Sequence, residues 1–164
     1  MTRKRSALDH LKSGREPHIV TMIPPGAPGF KEAQGGAMVI SSPAEVDRML
    51  KDIRRGEVIT LTDLRAAIAK KHNVAVACPV STAIFANMVA RAAEEMRAVG
   101  TAGAKLTPWW RLLRPGGFLN PKLPGGVERQ AALLGRDGVD VIRVRKQLAV
   151  MDYQARVPKA LRHT

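Results

Sequence analysis

The spacing of apolar residues in the first half of the chain limits the folds that it can adopt. From Val46 to Ile53, apolar side chains recur at positions i, i+3, i+4 and i+7, the pattern of a helix with one buried face. The preceding residues, Ser42-Pro43-Ala44-Glu45, are typical of a helix start, with a capping box and a proline at the first helical position. The pattern predicts a first helix that ends at Arg54-Arg55-Gly56.

Two more helices are predicted after the first one. Thr60 or Thr62 can cap a helix that runs to about His72, because a threonine hydroxyl accepts a hydrogen bond from a free backbone N–H of the first turn. Ser81 can cap a longer helix that runs to about Val99. We expect the apolar residues of this helix to belong to the hydrophobic core rather than to a cofactor site.

The C-terminal third of the chain predicts a fourth helix and then a β-hairpin. The helix runs from Val127 to Arg136, and residues 139–153 have the pattern of two strands with a turn near Arg145-Lys146. Three helices and a later hairpin are the order of a winged helix-turn-helix, in which one helix enters a DNA groove. The sequence therefore predicts an α+β fold of the winged helix-turn-helix type over residues 39–153.

Both ends of the chain are predicted to be basic tails. Residues 1–38 contain the stretch from Pro24 to Gly29 and the pair Gly35-Gly36, which interrupt regular structure. We expect a flexible tail there, which either keeps the protein soluble or adds phosphate contacts. Residues 154–164 are predicted to form a second basic tail.

The charge of the chain favours a polyanionic partner. Lysine and arginine outnumber aspartate and glutamate by 27 to 14, for a formal net charge of +13. An excess of this size favours nucleic acid first and a membrane surface second. The sequence has no run of about 18 apolar residues that would span a membrane. No apolar segment of a secretory signal follows its basic first residues.

The scarce cysteine and histidine residues restrict the chemistry. The single cysteine, Cys78, cannot form an intramolecular disulfide, which favours a reducing compartment. We expect a cytoplasmic monomer, associated with the nucleoid if the protein is bacterial. We expect no metal site, because the histidines are far apart and lack further ligands at suitable spacing. We also expect no cofactor, because no glycine motif for a nucleotide is present.

Both tryptophans of the chain are adjacent, in the motif Thr107-Pro108-Trp109-Trp110-Arg111. Rigid aromatic rings beside a cation suit a site that stacks a flat ring. In a chain this basic, the flat ring of first choice is a nucleobase. The alternative is that both tryptophans fill a hydrophobic core beneath the loop. Pro115-Gly116-Gly117 follows, and predicts a hairpin or a tight turn.

The tryptophan motif also carries a resemblance to a known family. From Ser42 to Val139 the chain resembles the DNA-binding domain of the alkylguanine-DNA alkyltransferases (methylated-DNA–protein-cysteine methyltransferases), and most of all their non-enzymatic relatives, the alkyltransferase-like proteins. The family's active-site motif reads Pro-Cys-His-Arg, and Pro108-Trp109-Trp110-Arg111 occupies it here, with tryptophan in place of the nucleophilic cysteine. Gly125-Gly126-Val127 and the segment Leu133 to Gly138 match the family's turn and helix end.

The resemblance implies a non-catalytic protein that binds duplex DNA, recognises an alkylated or damaged base and leaves it to a downstream repair protein. It also implies that Asp137, at a family glutamate position, orients groups of the lesion pocket. The pocket residues that it implies are Pro108, Trp109, Trp110, Arg111, Gly125 and Gly126.

Two departures from the family keep a second function open. The family tyrosine that presses on a phosphate falls at Leu61, and the arginine that fills the gap left by a flipped base falls near Thr82. The second function is a general or regulatory DNA-binding protein without lesion recognition. A third, an enzyme that uses Cys78, is the least favoured, because this residue lies in an apolar segment and is expected to be a core residue.

The predicted DNA contacts surround the helix that starts near Ser81, which is the hypothesised recognition helix. Its short polar side chains suit docking on the DNA backbone better than base reading. The linker 97–105 after this helix is longer than the family's. The predicted DNA-binding residues are Thr60, Thr62, Ser81, Thr82, Asn87, Arg91, Arg114 and Lys122.

Overall fold

The fold mixes α-helices with short β-strands. The computed structural model describes residues 3–101 and 106–162. Within these residues, the helices are α1 (Ala7–Leu11), α2 (Phe30–Ala33), α3 (Pro43–Lys51), α4 (Leu61–Lys71), α5 (Pro79–Ala98), α6 (Gly126–Arg136) and α7 (Tyr153–Arg156). The strands are β1 (His18–Val20), β2 (Met38–Ile40), β3 (Ile59–Thr60), β4 (Val76–Ala77), β5 (Leu112–Leu113), β6 (Val141–Val144) and β7 (Gln147–Val150). The predicted mixture of α and β structure is confirmed, whereas the winged helix-turn-helix assignment stays a prediction.

The apolar faces of α3, α4 and α5 meet in the main hydrophobic core. The stripe that predicts α3 is buried there, and Val46, Leu50 and Ile53 are each at most 1% exposed. Burial of a side chain of this size contributes roughly 1.5–3 kcal/mol to stability. The core therefore fixes how the three helices pack. Its members from α4 and α5 are Leu64, Ile68, Phe85, Ala86 and Val89.

The predicted capping box of α3 is only half formed. Ser42 Oγ accepts the backbone N–H of Glu45 at 3.1 Å, but the Glu45 side chain does not return the bond. Its buried carboxylate accepts hydrogen bonds from Ser41 at 2.6 Å and Lys71 at 2.9 Å. It also lies 2.8 Å from His72 Nε2. Ser41, Lys71 and His72 therefore take the place of the Ser42 backbone N–H as partners of the Glu45 carboxylate.

The next two helices begin in different ways. Thr60 caps α4, and its backbone and side chain exchange hydrogen bonds with Asp63 in a complete capping box. α5 begins at Pro79 and is capped by Cys78 without a side-chain bond. The helix therefore begins before Ser81, the cap predicted from the sequence.

The strands form three small sheets. β2 pairs antiparallel with β1 and in parallel with β4. β3 pairs in parallel with β5, with Ile59 opposite Leu112, and this pairing places the tryptophan motif beside the helical core. β6 and β7 form the predicted hairpin, with Val144 opposite Gln147 across the Arg145-Lys146 turn.

The structure corrects the prediction of a flexible tail over residues 1–38. α1 packs against α5, where the backbone N–H groups of Ala7 and Leu8 each donate to the carboxylate of Glu95 at 3.1 Å. β1 then pairs with β2. These partners are distant in sequence, so local composition carried no sign of them. Residues 1 and 2 lie outside the described residues.

The predicted C-terminal tail is also folded in its described part. α7 leads into a short 3-10 turn at residues 159–161, and Val157 is buried. The Arg156 carbonyl accepts the Val58 N–H at 3.2 Å, and the Arg156 guanidinium donates to the Gly56 carbonyl at 3.0 Å. Residues 163–164 lie outside the described residues, as do residues 102–105 of the predicted linker after α5. The domain boundaries at residues 39 and 153 stay a prediction.

Replacement of Glu95 by alanine tests the docking of α1. We expect Glu95→Ala to lower the free energy of unfolding by about 1–2 kcal/mol, because two N–H groups at the start of α1 lose a charged acceptor. Urea denaturation measures the loss, and hydrogen exchange should show faster exchange at Ala7 and Leu8. The control variant Glu16→Ala removes an exposed charge from the segment after α1 and should change neither the free energy of unfolding nor the exchange rates of Ala7 and Leu8. Equal exchange rates in the two variants would contradict the docking.

Candidate functional site

The tryptophan motif forms a short 3-10 turn, Trp109–Arg111, immediately before β5. The pairing of β5 with β3 holds one end of this turn. The Thr107 hydroxyl, at the other end, donates to the buried carboxylate of Asp47 on α3. α5 and α6 pack against the turn itself. Four elements of the fold therefore position the motif.

Trp109 is a core residue. Its side chain is 1% exposed and packs against Ala90, Ala93 and Leu123. The indole N–H donates to Glu94 Oε1 at 3.1 Å, so the polar edge of the ring has its partner inside the protein. Trp109 offers no open face on which a base could stack, which favours the core interpretation for this residue.

Trp110 is half-buried and stands edge-on to Trp109, with ring centroids 6.0 Å apart and ring planes at 84°. Its indole N–H donates to Asp137 Oδ2 at 2.8 Å. Arg111 Cζ lies 5.4 Å from the Trp110 ring centroid, within cation–π range. A carboxylate and a cation therefore fix the orientation of the one tryptophan that keeps exposed surface.

Arg111 and Asp137 form a nearly buried ion pair behind the tryptophans. Arg111 donates from Nε and Nη2 to the two Asp137 oxygens at 2.6 and 3.1 Å, and from Nη1 to the Ile53 carbonyl at 2.7 Å. Burial raises the pKa of Asp137, but hydrogen bonds from Arg111 and Trp110 outweigh this effect and hold the pKa below its usual value. Asp137 therefore orients both residues.

A cavity of about 350 Å³ opens beside the tryptophan turn, between α5 and α6. We call it the tryptophan cavity. Its volume lies in the range of small-molecule sites. Its lining includes four arginines, Arg55, Arg97, Arg129 and Arg136, and the apolar side chains Ala93, Leu106 and Leu133.

Glu94 pairs with two of the arginines that line the tryptophan cavity. Its carboxylate accepts hydrogen bonds from Trp109, from Arg97 and, at 3.2 Å, from Arg129. Burial raises the pKa of Glu94, but the bonds from Arg97, Arg129 and Trp109 lower this pKa by more, so the carboxyl ionises more readily than usual. The guanidinium groups are thereby fixed, and their remaining N–H groups can donate to oxygen acceptors of a ligand.

Nucleophilic side chains are not available at the tryptophan cavity. Among the described residues of its wall there is no cysteine, serine, lysine or histidine, and the Thr107 hydroxyl is bonded to Asp47. The Cys78 side chain is 8% exposed and packs with Ala33 and other residues beneath the first sheet. Roughly 22 Å of helix separates it from Ala93, at 1.5 Å per residue.

Gly125 and Gly126 do not line the tryptophan cavity but begin α6. Their φ angles are +78° and +72°, and a Cβ atom at residue 125 would lie 2.3 Å from Arg129 Cδ. Glycine is therefore required at this turn, which directs α6 so that Arg129 reaches the cavity. Pro108 and Arg111, also predicted for the pocket, stand behind its wall rather than in it.

Sequence reasoning missed Gln130, which is fully buried. Its Nε2 donates to the carbonyls of Trp110 and Leu112 at 3.0 and 2.9 Å, and its Oε1 accepts the Asn120 N–H at 2.8 Å. Gln130 therefore ties the tryptophan turn to α6. Its position three residues after Val127 in the apolar stripe of α6 was the one available signal.

The cavity residues Arg55, Glu94, Arg97 and Arg136 were missed as well. Charged residues at helix ends are usually solvated, so nothing in their spacing distinguishes them. They become a set only because α3, α5 and α6 end close to one another.

The structure corrects two of the predicted DNA contacts. Thr60 is buried, and its hydroxyl oxygen accepts the backbone N–H of Asp63 at 3.1 Å. Thr82 is 0% exposed, and its hydroxyl donates to the Cys78 carbonyl at 2.7 Å. Both side chains serve their own helices, so neither can reach a ligand on the surface.

The other predicted DNA-binding residues lie outside the tryptophan cavity. Thr62 is near the start of α4, and Ser81, Asn87 and Arg91 lie along α5. Asn87 Nδ2 donates to the Lys122 carbonyl at 2.8 Å, and Arg114 Nη1 donates to Gln147 Oε1 at 3.2 Å near the hairpin. Their role in DNA binding stays a prediction.

The described residues contain no group of three or more histidine, cysteine, aspartate or glutamate side chains that could hold a metal ion. Over the same residues, none of the helices is long and apolar enough to cross a membrane.

No protein-family model and no curated protein matches the chain. Two solved structures are similar to it. One is S. pombe Atl1 in complex with damaged DNA containing O6-carboxymethylguanine, with 16% sequence identity and a TM-score of 0.48 over 71% of this chain and 94% of that chain. The other is S. pombe ATL in complex with DNA, with 15% identity and the same coverage and TM-score. Similarity at this level assigns neither a family nor a function to the chain.

Neutralisation of Asp137 tests the ion pair behind the tryptophans. We expect Asp137→Asn to lower the free energy of unfolding at pH 7 by about 2–3 kcal/mol, because Arg111 and Trp110 lose a charged acceptor. A carboxyl with a lowered pKa stabilises the fold above its unfolded pKa, and this stability is lost as the pH falls through the folded pKa. The deficit of the variant should therefore shrink below about pH 4.

Urea denaturation at pH 7 and at acidic pH measures this difference. Asp140→Asn is the matched control, because Asp140 is exposed and belongs to no ion pair among the described residues. A deficit of Asp137→Asn that is the same at both pH values would contradict the assigned role of the carboxylate.

Proposed function

We propose that the chain is a non-catalytic DNA-binding protein that recognises an alkylated or otherwise damaged base in duplex DNA and passes it to another repair pathway. One observation carries the proposal. The motif Pro108-Trp109-Trp110-Arg111, which resembles an alkyltransferase active site with its cysteine replaced, forms the turn beside a cavity of about 350 Å³. A base flipped out of a duplex needs a snug pocket of this kind.

The charge of the chain supports DNA as the partner. Its formal net charge is +13, and Arg91, Arg114 and Lys122 are exposed. Cations of this kind displace the counterions of DNA, which supplies affinity that does not depend on sequence.

The wall of the tryptophan cavity supports recognition of an alkylated base. Arg97 and Arg129 present N–H donors for the acceptor atoms of a base edge, and Leu106 and Leu133 offer apolar surface to an alkyl group. Stacking on an aromatic ring such as Trp110 contributes about 1–3 kcal/mol per base, which offsets part of the few kcal/mol that base flipping costs.

The same wall supports binding without alkyl transfer. Transfer to the protein needs a reactive thiolate at the pocket. Trp109 occupies that position in the motif, and the only polar atom of its side chain is bonded to Glu94. A non-covalent complex of this kind keeps the lesion intact, as a protein that marks damage for another pathway requires.

A second candidate function is that of a general or regulatory DNA-binding protein. The observation that favours it is the burial of Thr82. This residue stands near the position of the family arginine that fills the gap in the duplex, and it cannot take over that role. Without a residue that fills this gap, the chain would bind DNA through its exposed cations alone.

Binding to two matched duplexes, one of which carries a single alkylguanine, separates the two candidates. We expect the chain to bind the modified duplex about tenfold or more tightly, since stacking contributes about 1–3 kcal/mol. Fluorescence anisotropy at two salt concentrations measures both affinities. Equal, salt-dependent affinities would support the general DNA-binding protein. Absence of binding to either duplex would overturn both candidates.

A variant that fills the cavity tests whether the lesion binds there. We expect Leu133→Trp to remove the preference for the modified duplex and to leave binding to the plain duplex unchanged, because Leu133 lines the cavity. Ala132→Trp adds the same side chain at an exposed neighbouring position and should keep the preference. A preference that survives Leu133→Trp would place the lesion elsewhere.

A further inference from the structure

A second concave surface lies between the β6–β7 hairpin, the turn after β5 and the start of α6. It is a groove of about 330 Å³, which we call the hairpin groove. Its lining includes the apolar side chains of Leu119 and Leu148 and the cations Arg114, Arg143 and Lys146. Glu128 is the one carboxylate in its lining among the described residues.

The cations of the hairpin groove lack partners that would neutralise them. Arg114, Arg143 and Lys146 are exposed, and none of them forms an ion pair with a described residue. Arg114 makes a single side-chain bond, to the neutral side chain of Gln147. By contrast, Arg97 and Arg129 of the tryptophan cavity are both paired with Glu94.

Two further cations extend this charged surface. Lys122 is exposed and directly follows Pro121, which lines the groove. Arg145 is exposed at the tip of the hairpin and has a φ angle of +56°. Glycine or asparagine is the usual residue at such a turn position, since other side chains are strained there. A cation therefore stands at the hairpin tip in spite of backbone strain.

We propose that the hairpin groove binds phosphates of the DNA backbone at a place separate from the tryptophan cavity. The inference rests on the proposed function for the identity of the polyanion. Uncompensated, exposed arginine and lysine side chains suit phosphates because they keep their donors free and release counterions on binding. Backbone contacts fix the position of a protein on DNA without reading its bases. The groove therefore sets affinity and its salt dependence, whereas the cavity sets preference for a lesion.

The triple variant Arg143→Gln, Arg145→Gln, Lys146→Gln tests the hairpin groove. The slope of log K against log salt falls by about 0.9 for each phosphate contact that is lost. We expect a slope that is smaller by about 2.7 on both matched duplexes, and an unchanged ratio of the two affinities. The control triple Lys31→Gln, Arg48→Gln, Lys159→Gln removes the same net charge from exposed positions elsewhere and should leave the slope nearly unchanged.

The single variant Arg145→Gly separates charge from folding. We expect its melting temperature to rise by roughly 2–4 °C because the strain at the tip is relieved, while its salt slope falls by about 0.9. A variant that is more stable and yet binds DNA more weakly cannot owe the loss to unfolding.

Four results would overturn the inference. Equal slope changes in the groove and control triples would mean that only net charge matters. If the groove triple lost binding to a polyglutamate peptide while its DNA binding stayed unchanged, the groove would be assigned to an acidic protein partner instead. Absence of DNA binding by the unaltered chain would overturn the proposed function together with the groove. If the unaltered chain binds DNA but a groove variant keeps the same salt slope, the role proposed for the hairpin groove would be overturned and the proposed function would stand.

Discussion

The ion pair between Arg111 and Asp137 is the contact on which the candidate site depends. Arg111 belongs to the tryptophan turn and also binds the Ile53 carbonyl after α3, while Asp137 follows α6. Asp137 also accepts the Trp110 N–H. One pair therefore joins the ends of two helices to the turn between them. Both side chains are nearly buried, and loss of either would leave an uncompensated charge inside the protein.

The two concave surfaces differ in how their charges are balanced. In the tryptophan cavity, Glu94 pairs with Arg97 and Arg129, and Asp137 lies 4.0 Å from Arg55, so three of its four arginines have a carboxylate partner. Such donors discriminate between ligands at short range. The cations of the hairpin groove are exposed and unbalanced, and attraction by such charges acts over about a Debye length and is screened by salt. The proposed division between lesion recognition and general attraction to DNA rests on this difference.

Local sequence patterns were reliable where the neighbours along the chain decide the structure. The apolar stripe of α3, the helix cap at Thr60 and the two strands around Arg145-Lys146 all appear as predicted. Predictions failed where the partner is remote. The segment before residue 39 has the composition of a tail, yet Glu95 caps α1 and β2 pairs with β1.

The sequence by itself determined the helices α3 to α6, the hairpin and the excess of positive charge. Only the tertiary structure decided that Trp109 fills the core, that Trp110 keeps exposed surface, and that arginines from three helix ends surround one cavity. The physical reason is the separation along the sequence over which each interaction acts. Periodicity and capping act within a few residues, whereas burial and ion pairing depend on which distant segments the core brings together.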